Sequence, residues 1–189
     1  MEPTVSLSSE AKEYLLKVAL QAIKDGFKGE FRPPKIENVP RQCQQKGACF
    51  VTLQTNNQLR GCIGHTEVTQ PLYLDVYENA QAAAFSDPRF WPLKPNELEN
   101  LDLEISLLSK AEKLRGTLQE KIDQIKPKVH GVILDCQGRK ATFLPQVWED
   151  LPDKKDFLAQ LCQKALLPGE AWKDPTTDFL AYTVEKINL

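Results

Sequence analysis

Laid against itself with a shift of 81 positions and no gaps, the chain repeats one order of elements: an apolar hairpin, a helix and a strand. Val51 and Leu53 fall on Val132 and Leu134, Pro71 on Pro152, Trp91 on Trp172 and Glu104 on Glu185. An offset that keeps all three elements in phase restricts the fold to two related copies, each needing a partner layer for its apolar face. The expectation is a single domain over residues 1–189, α+β in class. Its pseudo-repeats, at about 47–108 and 128–189, form two subdomains sharing a mixed or barrel-like sheet.

In the first copy, Ala48 to Leu53 is rich in β formers, and Asn56-Asn57 suits a left-handed turn. Leu59 to Gly64 returns the chain, which predicts a hairpin. Pro71 suits the first position of a helix capped from Thr69 or Gln70, with Tyr73, Val76, Tyr77, Ala80, Ala83 and Ala84 as its apolar stripe. Leu101, Leu103, Ile105 and Leu107 alternate with Asp102, Glu104 and Ser106, a strand with one wet face. The second copy repeats this as a hairpin over 131–144, a helix over 154–167 and a strand over 179–187. A charged helical connector over 110–128 joins the copies. Ahead of both, Ser8 and Ser9 cap a helix over 8–26 that packs on the sheet. Pro33, Pro34 and Pro40 then predict an extended, helix-free connection over 28–46.

Chemistry concentrates in Leu59-Arg60-Gly61-Cys62-Ile63-Gly64, where a guanidinium, a thiol and two glycines fall within six residues. Residues two apart on a strand share a face, so Arg60 and Cys62 are expected to point together. A cation beside a thiol favours the thiolate, which makes Cys62 a candidate nucleophile or redox group. Gly61 and Gly64 would let a ligand approach the backbone. Asp87 and Arg89, within Asp87-Pro88-Arg89-Phe90-Trp91, would line a pocket mouth, or the segment simply closes the preceding helix, which is the plainer reading of its turn signal. The plainer alternative is that Cys62 is a small packed hydrophobe and the glycines mark a bulge. In the second copy Ala141 and Phe143 replace Arg60 and Cys62, so the candidate site belongs to the first copy alone. Cys62 and His65 have Cys-x-x-His spacing, but no second pair accompanies them and His130 is the only other histidine, so no metal site is predicted.

With 24 basic and 26 acidic residues and a net charge of -2, the chain has no electrostatic footprint for nucleic acid, so a nucleic-acid-associated regulatory role is disfavoured. No apolar run is long enough to span a bilayer, and Met1-Glu2-Pro3-Thr4-Val5 does not read as a signal peptide. Five widely spaced cysteines, an odd number, point to reduced thiols and a cytoplasmic location.

Four segments together carry a family resemblance: the hexapeptide at 59–64, Glu78-Asn79-Ala80, Asp87-Pro88-Arg89-Phe90, and Ala141-Thr142-Phe143-Leu144-Pro145-Gln146-Val147-Trp148. With these, the chain resembles the AMMECR domain family from about Gly47 to Trp172. The resemblance implies an α+β fold in two subdomains with a pseudo-repeat, and a cytosolic prokaryotic protein similar to the A component of the AmmeMemoRadiSam system. Its implied partners are a Memo-type protein, related to extradiol dioxygenases, and a radical SAM enzyme. It implies no reaction and no cofactor. The signature carries over onto residues 59–64, while His65 stands where the family usually has a small hydroxyl residue.

The functional expectation is a groove beside the hexapeptide that binds a small anionic ligand or a partner segment. Arg60, Gly61, Gly64, His65, Asp87 and Arg89 are its candidate ligand-binding residues. The rival expectation is a thiol-dependent enzyme using Cys62.

Overall fold

The computed structural model describes residues 7–188. Contacts divide the chain into two compact units: Ser109–Val184 form one, and the segments on either side form the other.

The first unit begins with α1 (Ser9–Gly26), where Ser8 Oγ accepts the Ala11 N–H at 3.2 Å and so fills one of the open donors of the first turn. Leu15, Val18, Ala19, Ala22 and Ile23 recur at helical spacing and are buried. The connection after it contains a short helix, α2 (Arg41–Gln44), preceded by Pro40. This corrects the expectation of a helix-free segment over 28–46. A proline ring just ahead of a first turn costs nothing, because the first N–H groups have no partner within the helix anyway, and the Pro40 carbonyl accepts from Cys43 N and Gln44 N.

Strands β1 (Lys46–Thr55) and β2 (Gln58–Gly64) form the predicted hairpin. Asn56 and Asn57 have φ of 52° and 60°, the left-handed pair that a two-residue turn matched to strand twist requires. The short β3 (Gln70–Pro71) pairs with β1, and α3 (Leu72–Phe85) follows, with Pro71 one position before its first helical residue. Then β4 (Leu101–Leu108) pairs antiparallel with β1 on the side away from β2. Helix α1 packs chiefly on α3, and α3 on β1 and β2. One core therefore takes in both helices and the inner faces of β1 and β4.

In the second unit the expected helical connector is β5 (Glu112–Lys113) followed by the single short helix α4 (Leu118–Gln124), which Thr117 and Glu120 cap reciprocally. Strands β6 (Gly131–Cys136) and β7 (Arg139–Phe143) turn through Gln137 and Gly138, again with positive φ. Helix α5 (Lys154–Lys164) precedes β8 (Asp178–Tyr182), which pairs with β6 as β4 does with β1. A separate core gathers here around Trp148, which stacks on Phe157 at 3.6 Å and donates its indole N–H to His130 O at 2.7 Å.

The expected final strand over 179–187 is two strands. After Tyr182 the chain enters β9 (Val184–Asn188), which joins the sheet of the first unit beside β4. The orders are thus β2-β1-β4-β9, with β3 on β1, and β5-β8-β6-β7. The fold is α+β with the duplicated hairpin, helix and strand, but among the described residues the strands divide into two open sheets, neither closed into a barrel. Each hairpin finds its third strand in its own copy, so each sheet can cover its own core. The offset of 81 holds for the hairpins and fails for the closing strand. Val51 faces Ile105 and Val132 faces Ala181, so Ala181, not position 186, corresponds to Ile105 and Glu185 has no tie to Glu104. No helix among the described residues is long and apolar enough to cross a membrane.

Candidate functional site

β2 is the edge strand of its sheet, and an exposed edge offers unpaired backbone groups. Here side chains take the place of a further strand. Cys62 N donates to Asp87 Oδ2 at 2.9 Å, and Arg89 Nη2 donates to Cys62 O at 3.2 Å. Arg89 also grips Asp87 through Nε and Nη2, at 3.0 and 2.7 Å. The register slips by one between Leu53 and Gln54, leaving Arg60 opposite neither. From that bulge Arg60 reaches Glu97 with Nε at 2.7 Å and Nη2 at 3.1 Å, and donates to the carbonyls of Trp91 and Pro92 at 2.9 and 3.4 Å. The hexapeptide and the Asp87-to-Trp91 segment therefore clamp each other.

The electrostatics follow from these forks. Hydrogen bonds from Arg89, with the Cys62 and Arg89 backbone N–H groups, hold the buried Asp87 carboxyl well below the usual carboxylate range against the opposing effect of burial. Arg60 does the same more mildly for Glu97. Bidentate pairing of this kind fixes geometry as well as charge.

The two glycines serve packing. A Cβ on Gly61 would stand 2.1 Å from the Ala83 carbonyl oxygen, so only a bare backbone lets α3 lie this close to β2. At Gly64 it would stand 2.4 Å from Cys49 O and from the Phe50 ring. His65 is placed apart from the clamp: its half-exposed ring lies 3.3 Å, through Nδ1, from Asp75 on α3. Asp75 is buried and also accepts from Cys49 N at 2.8 Å and Asn79 Nδ2 at 3.0 Å. His130 belongs to the other unit, where burial lowers its pKa and Nδ1 accepts the Lys126 N–H. Among the described residues, no three His, Cys, Asp or Glu side chains gather as a metal site would need.

All five cysteines are free thiols, and Cys62 alone is not buried. Burial pushes Cys43 up to about 11 and Cys49 well above an ordinary thiol, with Asp75 adding to the rise at Cys49. Gly61 faces α3, so Cys62, its neighbour, faces the opposite side of the sheet, where it meets Thr52. Thr52 Oγ1 donates to Cys62 Sγ at 3.3 Å. Thr52 is also the register partner of Glu104 on β4. Glu104 accepts from Ser106 Oγ at 3.3 Å and pairs with Lys186 of β9 at 3.2 Å. A polar row thus crosses the outer face of the sheet: thiol, hydroxyl, carboxylate, ammonium. Thr52, Glu104, Ser106 and Lys186 were not among the candidates from sequence. The available signal was the polar alternation of β4, which acquires meaning only once its register against β1 is known; the expected wet face is only partly wet, since Ser106 is fully buried.

Sequence comparison agrees with this architecture. The AMMECR1 family profile matches residues 16–187. A protein of Methanothermobacter thermautotrophicus is 35% identical over 175 residues, covering 90% of this chain and 90% of its own. Protein PYRAB00100 of Pyrococcus abyssi is 34% identical over 191 residues, covering 95% and 90%. The crystal structure of the uncharacterized protein PH0010 from Pyrococcus horikoshii superposes with a TM-score of 0.87 at 34% identity, covering 95% of this chain and 92% of that one. With a family profile matching residues 16–187 and relatives aligned over 90% or more of the chain, the chain belongs to the AMMECR1 family.

Proposed function

We propose that this AMMECR1-family protein carries a thiol-dependent site on the outer face of its first sheet, with Cys62 as the nucleophile toward a small electrophilic substrate. The observation that supports it is Cys62 itself, the one cysteine of five that is not buried, with a hydroxyl directed at its sulfur. Partial exposure lets an electrophile reach the sulfur, and the Thr52 hydroxyl holds that sulfur in one orientation. Thr52 and Ser106 are buried, so the part of the row that a substrate can reach is Cys62 at the sheet edge. The anion-binding reading has less support, because Arg60 and Arg89 are already paired with Glu97 and Asp87.

The test is the rate of alkylation of Cys62 by iodoacetamide, followed by mass spectrometry in the native and the urea-unfolded protein. A native rate above the unfolded one, lowered by Thr52→Val, is the expected result. A native rate at or below that of the unfolded chain would sink the nucleophile.

A second reading rests on Trp91, which is 87% exposed although Arg60 pins its carbonyl. A large aromatic held out on a rigid loop is what a partner-binding hot spot needs. The partners implied by the family resemblance, a Memo-type or radical SAM protein, are the ones to try first. Trp91→Ala and Phe90→Ala should then weaken co-purification with such a protein, whereas Cys62→Ala should not. Five free thiols fit a reducing compartment, and we infer a cytoplasmic location on that ground.

A further inference from the structure

The second unit holds a pocket of about 720 Å³ between α4 and the start of α5, a volume within the range of small-molecule sites. Its apolar wall comes from Leu118, Ile122, Pro127, Pro152 and Trp172. The two proline rings and the buried Trp172 make that wall stiff rather than collapsible.

The charged groups around it are unequal in what they have left to offer. Asp153 caps α5, taking Lys155 N at 2.8 Å and Asp156 N at 3.1 Å. Gln119 Nε2 donates to Asp123 at 2.8 Å. Lys154 donates to Ile122 O at 2.8 Å. Lys173 pairs with Glu170 and lies over the Trp172 ring. The Lys155 ammonium makes no hydrogen bond or ion pair among the described residues and stands exposed at the rim. The indole Nε1 of Trp172 is fully buried and has no acceptor among the described residues, so the ring face rather than the N–H is what the wall offers.

We propose that this pocket binds a small amphipathic monocarboxylate, aliphatic or aromatic, with its hydrocarbon part on the Leu118–Ile122–Trp172 wall and its carboxylate beside Lys155. The free cation selects an acid over an amine. The apolar wall selects a hydrocarbon chain over a small polar anion. The site is independent of Cys62.

Octanoate, 1-octanol and octylamine separate these contributions. Calorimetric titration gives affinities, and ¹H–¹⁵N spectra follow the three indole N–H resonances, with that of Trp172 assigned through Trp172→Phe. Octanoate should bind and move the Trp172 resonance, octylamine should bind at least about tenfold more weakly, and Lys155→Gln should weaken octanoate about tenfold while leaving octanol unchanged. Lys155 is exposed, so its replacement does not threaten folding. Cys62→Ala should leave octanoate binding intact. The proposal is overturned if the amine binds as well as the acid, if Lys155→Gln has no effect on octanoate, if the Trp172 resonance stays still, or if octanoate does not bind at millimolar concentration.

Discussion

Asp87 shows how one side chain can close the edge of a sheet. Its carboxylate takes the Cys62 N–H and three N–H groups of Arg89, one of them backbone, while Arg89 returns a bond to Cys62 O. These bonds favour the ionised form, so the carboxyl titrates lower in the folded protein than the value of about 3.9 expected when unfolded. The sign of the linkage follows: the stabilisation is complete above that unfolded value and is lost as pH falls below it toward the folded one. Asp87→Asn should therefore be less stable than the parent by about 1.5–3 kcal/mol at pH 7, with the gap narrowing below about pH 4. Urea unfolding at a series of pH values checks this, and a gap that stayed constant down to pH 2 would contradict it. Which residues of the hexapeptide were unusual was legible in the sequence. What they do was only half legible. Arg60 reads as a partner for Cys62, yet its carboxylate lies 37 positions later at Glu97, and no short-range pattern joins them. Strand periodicity predicts one face for Arg60 and Cys62, but the bulge from which Arg60 reaches Glu97 depends on the register between two strands.

Helix ends and turns were more readable, because their signals are local. Asn56-Asn57 announces its turn, and Ser8 its cap. Pro40 misled, since a proline forbids a helix that runs through it but not one that starts just after it. The end of α5 gives a case in which local chemistry is poorly matched to conformation. Leu166 N bonds Gln163 O and Leu167 N bonds Cys162 O, the paired bonds of a Schellman ending, with Leu166 at φ 59° where glycine is the usual residue. Leu166 is 82% exposed, so its side chain returns little for a conformation that costs a branched residue about 1–2 kcal/mol. Part of that gain is offset by the greater freedom of glycine in the unfolded chain, about 0.5–1 kcal/mol. Leu166→Gly should raise stability by about 0.5–1 kcal/mol, which a thermal melt would register as an increase of about 1–4 °C. A lower melting temperature would mean that the Leu166 side chain makes contacts its exposure does not reveal.

At the scale of the whole chain, the repeat was visible and its last strand was not. The offset that aligned both hairpins carried the reading past Tyr182, where β8 ends and β9 crosses to the sheet of the first unit. Periodicity is nearly continuous through this join, so the pattern alone reads as one strand. The consequence is a core that depends on residues far apart in sequence. Ile187 is 6% exposed in the core shared by α1, α3, β1 and β4, and its neighbours in β9 are tied to the same unit: Glu185 to Lys12 at 2.6 Å and Lys186 to Glu104 at 3.2 Å. The two cores share no residue. Ile187→Ala removes three carbons from this core and should cost about 2–4 kcal/mol. Hydrogen exchange shows where that cost falls. Amides of β1 and β4 should exchange faster in the variant, while those of β6 and β8 keep the parent's rates, because the second core loses no contact. Equal acceleration in both sheets would show instead that the two units open together, and that the divided cores do not correspond to divided stability.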